Sequence, residues 1–471
     1  MPEFFASKKV LVMGLGRFGG GVAVTKWLAQ QGAIVTVTDA EPADKLTDSL
    51  RQLDGKGGGN ITFKLGGHHL DDFLNADLLV INPAVDKQKS PIVRQALARG
   101  IPFTTEMNLF LERCLALTIG ITGSVGKSTT TTLIHESLKA ALTPPNSLFT
   151  IHHSLFPHAH LGGNIGKSLL PDLPNIRPHD LVVLELSSFM LEDTPAICWS
   201  PNIAVITNLF ANHLDRHDTF ANYSAAKQNI LRFQKPADVA IFNADHDLIS
   251  RWPSLARGQT LTFSTRNPAT PKLPLLIPGD HNQSNAQAAL AVLQALQSRG
   301  LQLDLQAALH AITHFPGLSH RLQLIHTLPL QTSPPRALHF YNDSKATSPD
   351  ASITALNAFD PRTAIFLVGG YDKHIDLSHF EKLLAQRAGA VLGLGATGQA
   401  IVNNVKQANT LPENRVTYVG TLEAALPLAR DLALTTPTLT AVVLSPASAS
   451  WDQFPNYEKR GETFTKAAQS F

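Results

Sequence analysis

"GITGSVGKSTTTTLIHESL", residues 120–138 of a 471-residue chain, sets Gly123, Gly126 and Lys127 ahead of a run of hydroxyls. The apolar run "CLALTIGIT" feeding it reads as a buried strand, and the stretch from Lys127 onward reads as a helix. Strand, glycine-bearing loop and helix in that order make an anion site. Backbone N–H groups point inward, the helix start adds partial positive charge, and Lys127 adds a full one. Ser128 or Thr129 can present a hydroxyl to Mg²⁺. The usual Gly-x4-Gly-Lys-[Ser/Thr] spacing is missed by one residue, because Ile121 stands where the first glycine belongs. The expectation is an ATP or GTP site whose loop is Gly123, Ser124, Gly126 and Lys127.

Outward from this loop the pattern repeats. "KKVLVMGLG", "AIVTVTD" and "DLLVINPAV" before it, and "DLVVLELSSFML", "NIAVITNL" and "DVAIFNAD" after it, are short apolar runs alternating with helical stretches. Such alternation means βαβ units around parallel sheets. The pattern restarts near "HFPGLSHR" with "LHFYNDSKA", "TAIFLVGGYD", "AVLGLGA" and "TAVVLSPASAS". The reading is an α/β chain of three domains. A Rossmann-like domain spans 1–112, a phosphate-loop domain with a mostly parallel sheet spans 113–316, and a Rossmann-like domain spans 317–471. "LTPPNSLFTIHHSLFPHAHLGGN", rich in proline and histidine, reads as an irregular insertion. Its His152, His153, His158 and His160 make a weak metal candidate, since nothing in the pattern fixes their geometry.

Bulk properties narrow the function. Lys and Arg total 39 against 37 Asp and Glu, a formal charge of +2, so no general nucleic-acid or membrane surface is indicated. The two cysteines, Cys114 and Cys198, are far apart and fit a reducing compartment. No apolar run reaches the roughly 18 residues that span a bilayer. A cytoplasmic monomer is expected.

Glycine turns occur twice more. "GLGRFG" carries Gly14, Gly16 and Gly19 with Arg17 and Phe18 between them, and Asp39 stands about 20 residues on, where a ribose-binding acid would be. "GLGATG" at Gly393, Gly395 and Gly398 matches the same spacing and reads as tight strand–helix packing.

Other residues stand at predicted strand ends, where α/β sheets hold ligands. Glu185 in "LELSSF" suits a hard cation, and His213 in "NHLDRH" is a less usual ligand. Either alone is more often a hydrogen-bonded structural residue. In "NYSAAKQNILRF", Tyr223, Lys227, Ile230 and Leu231 share one helical face, so a lysine interrupts an apolar stripe. Its stem could lie along apolar surface with the amine in water, or the amine could be held at a site. Further clusters are Asn342, Asp343, Lys345 and Thr347, then Lys373, then Ser445, Ser448 and Ser450.

Taken in order, "GITGSVGKSTTT", "GGNIG", "LELSSFMLE", "NHLDRH…YSAAK", "GDHNQSNAQAA", "FPGLSHR", "NDSKATSPDA", "VGGYDK" and "SPASASWDQF…RGETF" resemble the Mur ligases from about residue 8 to the C-terminus. Within that family the pattern is most similar to the D-glutamate-adding members. The resemblance implies that the first domain binds a UDP-linked substrate, the central one ATP, and the last the incoming amino acid. The "GLGRFG" turn would then cradle a uridine diphosphate without redox chemistry. The substrates would be UDP-N-acetylmuramoyl-L-alanine and D-glutamate, joined through an acyl phosphate in peptidoglycan precursor synthesis.

The resemblance also implies roles for single residues. Lys127 would contact the β- and γ-phosphates, with Ser128, Thr129 and Glu185 around a first Mg²⁺ and His213 at a second. Lys227 matches a lysine that the family carbamylates, which would make it an anionic Mg²⁺ ligand. Asn282, Asn285, Arg321 and Asp343 would contact ATP, and Asn164 and Ser187 the UDP substrate along with Gly14, Gly16, Arg17, Phe18 and Asp39. Lys345, Thr347, Lys373, Ser450 and Tyr457 would surround D-glutamate, with Lys345 also catalytic. Some positions depart from the family pattern. "GSVGKS" replaces a Thr-Asn-Gly-Lys-Thr arrangement, Met190 a glutamine and Asn212 an acid. Trp451 stands where a smaller aliphatic residue is usual beside the amino-acid pocket.

Overall fold

A computed structural model describes residues 5–16, 19–53, 60–142 and 157–471. Its order of elements is α/β throughout, built on three sheets.

The first sheet holds β1 (Lys9–Met13), β2 (Ile34–Asp39), β3 (Ile61–Leu65), β4 (Leu78–Ile81) and β5 (Phe103–Thr104), in the order β3-β2-β1-β4-β5. All neighbours run parallel. β1 reads Lys-Val-Leu-Val-Met and is buried after its first residue, the continuous apolar run that a strand covered on both faces requires.

The second sheet holds β6 (Leu117–Thr122), β7 (Ala159–Gly163), β8 (Leu181–Glu185), β9 (Ile203–Ile206), β10 (Val239–Asn243) and β11 (Gln259–Phe263). Its order is β11-β10-β9-β6-β8-β7, again all parallel. β6 lies between β8 and β9, so successive connections leave it toward opposite edges. The crevice at its carboxyl end is the topological switch point where such sheets bind ligands. Residues 159–163 correct one expectation: within the stretch read as an irregular insertion they form an edge strand beside β8. "AHLGG" lacks the β-branched run that marks a strand in sequence, and only pairing with β8 makes it one.

The third sheet holds β12 (Gln323–Leu330), β13 (Arg336–Asn342), β14 (Ala364–Val368), β15 (Ala390–Leu394), β16 (Val416–Gly420) and β17 (Ala441–Leu444), in the order β12-β13-β17-β14-β15-β16. β12 and β13 pair antiparallel, and the remaining pairs are parallel. In "GLGATG" a Cβ on Gly393 would press against the Gly398 carbonyl, so this glycine pair serves close strand–helix packing.

The residues gather into two compact units. Met1–Thr270 with Ser284–Ala311 holds the first two sheets, and Pro271–Gln283 with Ile312–Phe471 holds the third. One apolar cluster runs through the first unit from Val10 and Trp27 to Leu184 and Phe242, which is why its two sheets cohere. Lys87 adds an ion pair to Asp193 at 3.0 Å, and Asn108 donates to the Asp193 carbonyl at 2.9 Å.

Candidate functional site

The phosphate loop leaves β6 at Thr122 and enters the helix Lys127–Leu142. Gly123 and Gly126 both have positive φ, 157° and 79°. A Cβ on Gly123 would collide with Thr207 Oγ1, and one on Gly126 would lie 2.8 Å from Asn285 Oδ1. Glycine is therefore required twice over, by backbone conformation and by space. Lys127 opens the helix, and its Nζ donates to the Ser124 carbonyl at 3.1 Å. Ser128 and Thr129 come next in the first turn, half-buried.

A residue without any motif of its own holds the loop's shape. Asn208, just past β9, accepts from the Ser124 and Val125 N–H groups at 3.0 and 2.9 Å, and donates to the Val125 carbonyl at 2.9 Å. Ser124 Oγ accepts from the Phe210 N–H at 2.8 Å and lies 2.9 Å from Tyr223 Oη. Its hydroxyl fastens the loop to two neighbouring elements. The Thr122–Gly123 segment and Asn208 close across the ends of adjacent strands β6 and β9, a relationship with no signature in a linear sequence.

Lys227 lies on the helix Phe220–Arg232 and is 1 % exposed. Of the two readings left open by its sequence, the buried one holds. Its Nζ donates to Gly123 O at 2.9 Å and Thr122 Oγ1 at 3.3 Å, and sits 4.8 Å from the Tyr223 ring centroid. Burial pulls its pKa down to about 7, the nearby Lys127 ammonium pushes the same way, and Glu185 opposes. An amine that is half neutral near neutral pH is the form that can react with CO₂.

Glu185, at the end of β8, is 2 % exposed. Asn164 Nδ2 donates to its Oε1 at 3.0 Å, and the Asn164 N–H donates to its main-chain carbonyl at 2.8 Å. Its Oε2 is buried with no hydrogen-bond partner among the described residues. A buried carboxylate oxygen left bare is costly unless something cationic meets it.

His213 has φ 53° and precedes the short helix Leu214–His217. Its ring is tilted against Phe189 at 5.1 Å. Desolvation holds its pKa below the ordinary imidazole value, Asp215 opposes, and Lys127 and Lys227 add to the lowering. The neutral ring is the ligating form. His217, by contrast, is occupied: its ring nitrogens lie 2.9 Å from Ser188 Oγ and 3.1 Å from Glu192 Oε1. Ser187 accepts from the Met190 N–H at 3.2 Å as the cap of Ser188–Leu191. Among the described residues no group of three or more His, Cys, Asp or Glu forms a ready metal cage. Lys127 and Lys227 nonetheless lie close enough to His213, and Lys127 and Glu185 close enough to Lys227, to act on their charge.

At the first sheet, Gly14, Gly16 and Gly19 all have positive φ. Asp39 Oδ2 accepts from the Gly16 N–H at 3.0 Å and Oδ1 from the Glu41 N–H at 2.9 Å. Arg17 and Phe18 lie outside the described residues, as do His152 and His153 of the histidine-rich stretch. His160 pairs with Asp180 at 3.1 Å, which gives it a structural partner.

In the second unit, Asp343 is buried, accepting from Ser445 Oγ at 2.7 Å and from the Leu322 N–H at 3.1 Å. Burial pushes its pKa up to about 7, against the lowering pull of those bonds and of Arg321. Arg321 itself is exposed. Lys345 is exposed, its Nζ 5.4 Å from the Tyr457 ring. Lys373 donates to the Thr347 carbonyl at 3.4 Å and lies 5.5 Å from the ring of Trp451, which is 62 % exposed. Ser450 is buried. Arg460, which opens "RGETF" but has no role in the sequence reading, is 2 % exposed. It donates to Ser344 Oγ and O at 3.0 and 2.9 Å and to the Ala449 and Ser448 carbonyls at 3.0 Å. It thereby ties two of the polar clusters to the last helix. Asn282 belongs to this unit and Asn285 to the first. Asn285 Oδ1 accepts from Thr130 Oγ1 at 3.0 Å behind the phosphate loop.

Known proteins match this chain along nearly its whole length. The Mur ligase MurD-like N-terminal domain matches residues 8–105, and the Mur ligase middle domain matches residues 121–273. A UDP-N-acetylmuramoylalanine--D-glutamate ligase from Roseiflexus sp. strain RS-1 is 34 % identical over 499 aligned residues, covering 99 % of each chain. The UDP-N-acetylmuramate-alanine ligase of Thermotoga maritima shares the fold with a TM-score of 0.53 at 21 % identity, covering 98 % of this chain and 99 % of its own. A MurF ligase of Thermotoga maritima, solved in complex with ADP, gives 0.50 at 16 % identity, with 100 % and 97 % covered. With a relative this similar along its whole length, and two matching domains that flank and include the phosphate loop, the chain belongs to the Mur ligase family.

Proposed function

We propose that this chain is an ATP-dependent ligase that joins D-glutamate to UDP-N-acetylmuramoyl-L-alanine, releasing ADP and phosphate, as a cytoplasmic step of peptidoglycan precursor synthesis. The observation that carries it is the buried Lys227 amine, held against the Gly123 carbonyl beside Glu185, whose Oε2 lacks a partner. A plain nucleotide-binding protein has no need of a half-neutral lysine and a bare carboxylate oxygen behind its phosphate loop. The name of the Roseiflexus relative supports the choice of amino acid.

The chemistry rests on what the chain supplies. A carboxylate is a poor electrophile in water, so the L-alanyl carboxylate must first take the γ-phosphoryl group of ATP. The D-glutamate amine then attacks the acyl phosphate, and the tetrahedral intermediate expels phosphate. Each step concentrates negative charge, and the protein's task is to neutralise and align it. Lys127 and the N–H groups of the helix start would hold the β- and γ-phosphates. Asn285 backs the loop, and Arg321 and Asp343 would contact the nucleotide. Lys345, Thr347, Lys373, Ser450 and Tyr457 would hold D-glutamate, two cations suiting its two carboxylates. Gly14, Gly16, Arg17, Phe18 and Asp39 would cradle the uridine diphosphate, with Asn164 and Ser187 nearer the reacting end. This division of labour assigns the UDP substrate to 1–112, ATP to 113–316 and the amino acid to 317–471, in a monomer.

The residues present suit Mg²⁺. Glu185 Oε2, Ser128 or Thr129, and a carbamylated Lys227 would hold one ion, and neutral His213 a second. Bound Mg²⁺ would supply positive charge for the phosphate oxygens.

The test is phosphate release from ATP with UDP-N-acetylmuramoyl-L-alanine, offering D-glutamate, L-glutamate, L-alanine and a diamino acid in separate assays. Turnover with D-glutamate alone, and a product one glutamyl residue heavier, is the expected result. Turnover with another amino acid instead would overturn the assignment.

A further inference from the structure

The helix Phe220–Arg232 turns Tyr223 and Lys227 toward the phosphate loop, and the residues between them face elsewhere. Ala225, Gln228, Asn229, Leu231 and Arg232, with Leu255 and Arg257 beyond β10, line a cavity of about 350 Å³. None of these residues has a role in the reaction above. Arg257 has neither hydrogen bond nor ion pair among the described residues, and the Arg232 guanidinium meets only the Phe233 ring, at 5.5 Å. No acidic side chain lines the cavity. Two guanidiniums line one cavity without a counter-charge among its lining residues, and a dianion would supply one.

The rest of the lining specifies more than an ion. Leu231 is buried and forms an apolar floor, and Leu255 and Ala225 add to it. Asn229 spends its Nδ2 on the Leu191 carbonyl, at 3.0 Å, which leaves its Oδ1 as an acceptor for a hydroxyl. Gln228 offers a second amide. Guanidinium forks match the geometry of phosphate oxygens, apolar surface suits the face of a ring, and amides suit hydroxyls. The volume lies at the small end of ligand sites, too small for a dinucleotide.

We propose that this cavity is a binding site for a small phosphate ester of a hydroxylated ring, a sugar phosphate, separate from the nucleotide site. Arg232 and Arg257 take the phosphate, and Gln228 and Asn229 take hydroxyls.

The experiment is calorimetric titration of the full chain, its phosphate loop filled beforehand with a non-hydrolysable ATP analogue and Mg²⁺. The probes are glucose 6-phosphate, inorganic phosphate, succinate and glucose, at matched ionic strength. Glucose 6-phosphate should bind more tightly than inorganic phosphate, and glucose not at all. The Arg232→Gln/Arg257→Gln double variant should lose at least tenfold in that affinity. Both side chains are exposed, so folding does not depend on them, and unchanged binding of the ATP analogue verifies this. Equal affinity in the double variant, succinate binding as well as the phosphate ester, or no binding of either phosphate probe would each overturn the proposal. No turnover is read, so the result stands apart from the ligase reading.

Discussion

The Nζ of Lys227 lies 2.9 Å from the carbonyl oxygen of Gly123, with both groups buried beneath the phosphate loop. A positive charge there would sit beside Lys127, and burial with that neighbour pulls the amine's pKa to about 7. Reaching neutrality at pH 7 from an ordinary lysine would cost about 4 to 5 kcal/mol, and the fold has already removed most of that cost. Lys227→Met should keep the fold and its thermal midpoint while activity drops on the order of 10³-fold, as loss of the proposed anionic carbamate ligand requires. Short carboxylates added to the variant should restore part of it. Steady-state phosphate release with and without acetate reads the effect, and full activity in the unrescued variant would remove Lys227 from the mechanism.

Asn208 makes three hydrogen bonds to the loop backbone at Ser124 and Val125. Each is worth about 1 kcal/mol, so Asn208→Ala should cost about 2 to 3 kcal/mol of loop order. Because the loop must be re-formed to bind, ATP affinity should fall between about 30- and 150-fold. Equilibrium binding of a fluorescent ATP analogue measures this; an unchanged dissociation constant would show that the loop holds itself.

Gly123→Ala confronts both a φ of 157° and the Thr207 hydroxyl. Loss of nucleotide binding and destabilisation of at least about 2 kcal/mol are expected, as strain and overpacking add. Gly123→Ala/Thr207→Ser keeps the clashing oxygen and should rescue nothing, whereas Gly123→Ala/Thr207→Ala should recover part of the stability. Denaturant midpoints of the two double variants decide between them.

Asp343 carries a pH prediction. Its folded pKa of about 7 lies above the ordinary 3.8 because it is buried. Below about pH 4 both folded and unfolded states hold the proton, and the site costs nothing. As pH rises from about 4 through 7, the unfolded chain releases its proton first and the native state loses stability, up to an order of 4 kcal/mol. Asp343→Asn should therefore gain on the parent chain steadily between pH 4 and 7 and hold that margin above. Paired urea titrations across this range test it; a margin independent of pH would mean that the carboxyl ionises normally.

Arg460 donates four hydrogen bonds from a buried guanidinium. Bonds from charged donors are worth more than neutral ones, so Arg460→Met should destabilise the second unit by about 3 kcal/mol or more. Faster amide exchange around 445–450 is the expected signature, with KM for the amino acid rising and nucleotide binding by the first unit unaffected.

Much of this was legible in the chain itself. The continuous apolar runs of β1, β9 and β14 announce strands buried on both faces, since residues on either face are largely apolar when both are covered. Two edge strands escaped. β3 is mostly exposed and β7 has two glycines in five residues, so neither has a pattern of its own apart from the neighbour that pairs with it. The phosphate loop is readable because its job requires glycines and a lysine at fixed spacing along a few residues. Asn208 and Arg460 are not, because asparagine and arginine occur everywhere and only their partners distinguish these two.

The sequence by itself determined the α/β class, the three strand series and the phosphate loop, because periodicity and glycine spacing are local properties of a chain. Only the tertiary structure decided that Lys227 is buried and half neutral. That state depends on desolvation by packed neighbours and on the Lys127 and Glu185 charges, which lie 100 and 42 positions away in the chain. It also decided that Glu185 keeps a bare oxygen and that two arginines face one cavity. Charge and solvation are set by what surrounds a group in space, and a linear order of residues does not contain that.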